Sequence, residues 1–314
     1  MFEIVRYTPA KAAEWDKFVA QSKNGTFLFN RAYMDYHHDR FEDFSLMVYR
    51  KNRLYALFPA NIDKDGIWWS HQGLTYGGMI MDEHCKTAEI RNVFVLLNEY
   101  LSNHTIRQVV YKHIPWIYSS QPSEEDLFAL TNVCHATIRS RDVASAVFLR
   151  HSLPLSTLRI RGVKKALKNK LTIEESSDYV AFWQLLEGTL QIRHHASPVH
   201  SLSEIQGLQS NFPENIRFFV VKKGQDMIAG TVLYVNKKTV KTQYIAANEE
   251  GRMLGALDLL FQQLLKMFGI SGMDYFDFGT SNLVGNGDLN DTLIFQKEGF
   301  GGRGICYDTY EWTL

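Results

Sequence analysis

The clearest alternation of apolar and polar positions lies between 216 and 268. Three strand-like runs, 216–222, 227–235 and 239–247, are joined by the polar turns 223–226 and 236–238. A polar elbow at 248–252 then opens a segment of helical period. Leu254, Leu257, Leu260, Phe261, Leu264, Leu265 and Phe268 fall on one face of it, with Asp258, Gln262, Gln263 and Lys266 opposite. The pattern predicts an antiparallel meander ending in a glycine-bearing turn and a helix N-terminus, a frame that can bind an anion.

The same order of elements is legible earlier in the chain. Thr8-Pro9 reads as a helix start whose buried stripe is Trp15, Phe18 and Val19. Strands are expected at 44–49 and 54–60 around the turn 50–53, with a third at 67–70 before the glycine-rich loop 71–78. A helix at 89–102 and a strand at 109–112 follow. Strand, turn, strand, helix, strand thus recurs in both halves, which predicts an α/β (α+β) chain of two similar modules. Between them come a helix at 123–130 with Ser123 as N-cap, a strand at 136–143 and an amphipathic helix at 155–169. Ser177-Asp178 caps a further helix, and Ser201-Leu202-Ser203-Glu204 fits a capping box. The join is placed near Pro154, giving modules 1–152 and 153–314.

Composition narrows this picture without redirecting it. The 314 residues carry 34 acidic and 34 basic side chains, so no global field draws the chain to nucleic acid or membrane. Cys85, Cys134 and Cys306 are far apart and odd in number, which argues against a disulfide framework. The first residues lack a signal-peptide pattern and no apolar run approaches a membrane span, so a cytoplasmic protein is expected.

Four stretches carry candidate chemistry. At the elbow, Arg252, Gly255 and Ala256 offer an arginine and small residues at a helix start, as a pyrophosphate requires. The plainer reading is that Asn248 caps a helix whose first turn holds Glu249 and Glu250. Arg159, Lys164, Lys165 and Lys168, with Arg161 and Lys170 nearby, form a basic helix that is either a solvated face or a seat for a phosphate-rich partner such as RNA. The segment 193–200 brings Arg193, His194, His195 and His200 into one loop. It reads as substrate-binding, since no metal-ligand spacing accompanies the histidines. Last, Asp277-Phe278-Gly279 ends a strand before a polar loop, and Lys297 sits in a glycine-rich tail where it can stabilise negative charge. No Gly-x-Ser-x-Gly elbow supports covalent hydrolase chemistry.

Together these residues resemble the Fem-type (FemAB-like) branch of the GNAT acyltransferase superfamily. The resemblance is carried by 219–230, the elbow through Ala256, Tyr275-Phe276-Asp277-Phe278-Gly279 and 295–302, with 24–27, 161–168 and 193–200 in support. It implies two tandem GNAT-like modules, each a mostly antiparallel mixed sheet flanked by helices. The first reading of function is transfer of an acyl group from acetyl-CoA or another acyl-CoA to an amine, without a metal. The alternatives are a Fem-type ligase that moves an amino acid from aminoacyl-tRNA to a peptidoglycan precursor, and a degenerate GNAT module that only binds. Against the GNAT pyrophosphate loop, Gln/Arg-x-x-Gly-x-Gly/Ala, Arg252 and Gly255 match and Leu257 takes the last position. The resemblance points to the backbone of Ile245, Ala246 and Ala247, with Arg252, Gly255 and Ala256, as the donor site. It places Lys297 at the transfer centre, with Asp277, Tyr244 and Tyr307 as candidate proton-transfer groups. Arg31, Tyr76, Arg193 and His200 are candidates for gripping an anionic acceptor, and tRNA would meet Arg159, Lys164, Lys165 and Lys168.

Overall fold

The computed structural model describes residues 1–194, 197–283 and 287–314, with the backbone alone at 192–194. The chain forms two compact units, Met1–Asp142 with Cys306–Leu314, and Val143–Ile305. The expected boundary at 152/153 therefore shifts to 142/143, and the last nine residues leave the second unit. Strand pairing is the reason, because the C-terminal strand completes a sheet of the first unit.

In that unit, β1 (Phe2–Arg6) is followed by α1 (Ala12–Gln21) and the short α2 (Arg31–Met34). The stripe Trp15, Phe18, Val19 is buried as expected, and the Trp15 indole donates to the Phe29 carbonyl at 2.7 Å. Seven strands and two helices follow: β2 (Glu42–Asp43), β3 (Leu46–Arg50), β4 (Arg53–Phe58), β5 (Asn61–Ile62), β6 (Trp68–Trp69), β7 (Ile80–Met81), α3 (Thr87–Asn103), β8 (Gln108–Lys112) and α4 (Glu125–Asn132). One antiparallel sheet runs β1-β3-β4-β7. Its central hairpin turns through Lys51 and Asn52, both left-handed at φ 49° and 63°. A second sheet takes β8-β6-β5-β2, with β6 and β8 parallel. Ile90, Val93, Phe94, Leu97 and Leu101 of α3 are buried, in a core shared with Leu46, Phe58 and Trp68. Ser123 does not cap α4. That helix starts two residues later, and the Ser123 hydroxyl bonds Ser119 instead.

The second unit begins within β9 (Thr137–Phe148) and continues with α5 (Thr157–Lys168), β10 (Thr172–Glu175), α6 (Tyr179–His194) and α7 (Leu202–Asn211). The predicted meander is β11 (Ile216–Lys223), β12 (Asp226–Val235) and β13 (Thr239–Ala247). Then come α8 (Glu249–Leu254), α9 (Ala256–Ile270), β14 (Tyr275–Thr280), α10 (Asp291–Glu298) and β15 (Arg303–Thr313). Its strands run β10-β11-β12-β13-β14-β9. The helix expected after the elbow is broken in two at Gly255, whose φ of 75° lies in the left-handed region that favours glycine. Leu259, Leu260, Phe261, Leu264 and Phe268 of α9 are buried against one face of the sheet. α10 was not legible as a helix because it has no apolar stripe: its one buried residue is Lys297. β15 pairs antiparallel with β8 through Thr309–Thr313, which ties the chain end to the first unit. Among the described residues no helix is long and apolar enough to cross a membrane.

Candidate active site

The face of the second unit's sheet opposite α9 collects its buried titratable groups. Phe276 and Phe278 pack on Phe261 of α9, with ring centroids 6.1 and 5.0 Å apart, so Asp277 between them projects to the other face. β13 and β14 run parallel over three pairs only, Thr239 with Tyr275, Val240 with Phe276 and Lys241 with Asp277. Lys241 therefore shares the face of Asp277. Beyond it, β13 runs on to Ala247 paired with β12 alone among the described residues. One edge of β13 through Ile245, Ala246 and Ala247 thus carries backbone groups without a strand partner, and these can bind a carbonyl oxygen or an amide-bearing arm.

Where the strands part, three charged side chains are buried together. Asp277 is fully buried and accepts the Gly279 N–H at 2.7 Å, closing a turn in which Gly279 has φ 72°. Lys297, 6% exposed, reaches in from α10 and donates to the carbonyls of Gly279 (2.8 Å) and Thr280 (2.6 Å). Burial pushes the Lys297 ammonium down to about 8; Asp277 opposes the shift and Lys241 adds to it. Among the described residues Lys241, 9% exposed, makes long bonds of 3.3 Å to the Thr242 carbonyl and the Gln243 side chain. Burial lowers its pKa too, against the pull of Asp277. An amine that exchanges its proton near neutrality suits acid–base work.

Tyr244 and His200, assigned to different roles from sequence, meet on the same face. The His200 backbone N–H donates to the Tyr244 hydroxyl at 3.1 Å, and that hydroxyl lies 2.5 Å from His200 Nδ1. The geometry fits a hydroxyl that accepts the backbone N–H and shares a hydrogen bond with Nδ1. Burial pushes the Tyr244 phenol up to about 12, so it keeps its proton at neutral pH. The Arg193 side chain and His195 lie outside the described residues.

The elbow is built for helix packing. The Asn248 side chain accepts the Gly251 N–H at 2.7 Å, the capping role that the plainer reading gave it. Arg252 is turned back onto the Ala247 carbonyl. A Cβ on Gly255 would stand 2.5 Å from the Gly162 carbonyl of α5, so this glycine lets two helices touch. Arg252, Gly255, Leu257, Asp258 and Phe295 line a cleft of about 360 Å³. Asp258 is held there by Arg159 at 2.6 Å, and burial raises its pKa against the pull of that arginine. Arg159 is thus engaged inside the unit, not displayed to a partner. Arg161, Lys164, Lys165 and Lys168 are exposed and form no ion pair among the described residues. Their spacing of i, i+3, i+4 and i+7 places all four on one side of α5.

The remaining candidates sit in the first unit. Arg31 is buried, ion-paired to Asp35 and to Asp43 (2.7 Å) and stacked 3.9 Å over the Tyr7 ring, so it is a core cation and not a free grip. Tyr76 is buried with its hydroxyl 3.3 Å from Thr26 Oγ1 and its ring 4.5 Å from Tyr118. Tyr307 belongs to the same unit, its hydroxyl 2.9 Å from that of Tyr118. Lys241 was missed altogether. Its surroundings hid it: in the strand Thr-Val-Lys-Thr-Gln-Tyr-Ile-Ala-Ala a lysine beside Thr242 and Gln243 reads as a solvated position.

Residues 159–288 match the family model of the acetyltransferase (GNAT) domain. No curated protein matches the chain. Among solved structures, FemX is 12% identical with a TM-score of 0.70, over 99% of this chain and 97% of that one. L-PGS from Bacillus licheniformis is 13% identical with a TM-score of 0.62, over 97% of this chain and 92% of that one. A tandem GNAT protein from the clavulanic acid biosynthesis pathway is 10% identical with a TM-score of 0.53, over 100% and 98%. Residues 159–288 thus match a GNAT acetyltransferase domain, and the chain as a whole shares the fold of FemX.

Proposed function

We propose that the second unit transfers an aminoacyl group from tRNA to the amine of a cell-wall precursor, as the Fem-type resemblance implies. The observation that carries the donor assignment is the exposed stripe of Arg161, Lys164, Lys165 and Lys168 beside the elbow cleft. It runs about 10 Å along α5, and such unpaired cations suit a chain of phosphates better than a single pyrophosphate. The cleft itself speaks against a pyrophosphate, since Asp258 lies in it and Gly255 is closed by Gly162. In this reading the neutral Lys297 amine takes a proton from the acceptor ammonium. The amine attacks the ester carbonyl, and unpaired N–H groups of β13 hold the developing oxyanion. The C–N bond forms and the attacking nitrogen gives up its second proton to solvent; the C–O bond to the tRNA ribose breaks, and Lys297 returns the first proton to the leaving ribose oxygen. Such a donor also fits a cytoplasmic enzyme. The test is filter binding of tRNA by the wild type and by the triple variant Lys164→Glu, Lys165→Glu, Lys168→Glu. Salt-sensitive binding that disappears in the variant is expected, and equal binding by both rejects the tRNA donor.

The unpaired edge of β13 favours one second reading, an acyl-CoA donor whose amide-bearing arm would lie along it with Arg252 near the phosphates. Calorimetric titration with acetyl-CoA and longer acyl-CoAs separates the two, because the tRNA reading expects no heat of binding. We also infer that both units are GNAT-like modules in tandem. The shared order of hairpin, helix and strand, β3-β4-α3-β8 in one and β11-β12-α9-β14 in the other, supports this.

A further inference from the structure

We propose that Lys241 is a positioning residue for the transfer, sharing the buried Asp277 carboxylate with Lys297 so that the Lys297 amine can shed and regain a proton. The proposal rests on the reading of Lys297 as proton acceptor. Lys241 and Asp277 are register partners on adjacent parallel strands, and they project to one face. Gly279 lies between the two lysines: its carbonyl accepts from Lys297, and a Cβ on it would stand 3.9 Å from Lys241 Nζ. The charged groups acting on Lys297 are Asp277 from β14 and Lys241 from β13, and the one acting on Lys241 is Asp277.

Two ammonium groups facing one carboxylate leave a net positive charge where water is largely excluded. Burying an unmatched charge is costly, and releasing one proton removes it. Lys297 is the group arranged to release it. Its two carbonyl acceptors pair both N–H bonds of a neutral amine, leaving the lone pair for an incoming proton. Lys241, in register with the carboxylate, supplies the positive charge that acts against the Lys297 ammonium. A lysine that merely fills the core would leave the titration of Lys297 unchanged.

The experiment uses the full chain with 13C at the lysine ε-carbons, followed by NMR across pH. The Lys297 signal is assigned by its loss in Lys297→Met. In Lys241→Met, the Lys297 midpoint is expected to move to higher pH, by about tenfold in proton affinity. Lys241→Arg should restore the wild-type midpoint, and Asp277→Asn, which can still accept the Gly279 N–H, should lower it. An unmoved midpoint in folded Lys241→Met overturns the proposal. If that variant does not fold, a midpoint that fails to fall in Asp277→Asn overturns it instead. If the midpoints move as expected while the pH profile of transfer stays put, the coupling holds and the proton-acceptor role of Lys297 is what fails.

Discussion

At the scale of single residues, the site is defined by burial more than by residue type. Lys297 and Asp277 were both visible in the sequence as members of a glycine-bearing region, but nothing there said that one would sit over the other's turn. That came from a backbone turn at Gly279 which presents two carbonyls to a lysine entering from α10. Replacing Lys297 with Met should slow transfer by about a hundredfold or more, measured as kcat on whichever donor binds. The same residue makes a prediction about stability. Its pKa falls from 10.5 to about 8 on folding, so between those values the unfolded chain binds more protons than the folded one. Stability therefore rises with pH across that window, and below about 8 the cost of the buried charge is constant. Urea unfolding from pH 8 to 10 should show the wild type gaining stability relative to Lys297→Met. Parallel curves would contradict the depressed pKa.

At the scale of elements, periodicity located what carries an apolar stripe and missed what does not. The meander and α9 were legible because alternation and the helical repeat mark their buried faces. α10 was not, since eight residues with one buried lysine carry no periodic signal. The break at Gly255 was equally hidden, because a glycine there suits a phosphate loop and a close helix approach alike. That approach can be tested alone. Gly255→Ala places a methyl 2.5 Å from the Gly162 carbonyl and keeps a φ of 75°, so it should destabilise the protein by at least about 2 kcal/mol, read as a lower urea midpoint. On α5, each exposed lysine converted to Glu should weaken tRNA binding and flatten its dependence on log salt concentration, by about one unit of slope for each phosphate the protein no longer neutralises. A slope that does not change would place the nucleic acid elsewhere.

At the scale of the whole molecule, the chain returns to its first unit at the end. Trp312 of β15 is buried in that unit's core and its indole donates to Asn98 Oδ1 at 3.1 Å. Trp312→Ala should cost about 3–5 kcal/mol, measured by chemical denaturation. The tyrosines Tyr76, Tyr118 and Tyr307 show the same closure, since residues 189 positions apart in Tyr118 and Tyr307 share a hydrogen bond. By itself the sequence determined the two-part α+β plan, the meander, the helix faces and the caps at Ser201 and Asn248, because these depend on near neighbours and on periods of two and 3.6 residues. Tertiary structure alone decided that Tyr307 bonds Tyr118, that Arg31 and Arg159 are engaged inside their units, and that Lys241 shares a face with Asp277. Each of those depends on strand register or on which face a side chain is buried against, and pairing between distant segments leaves no local trace.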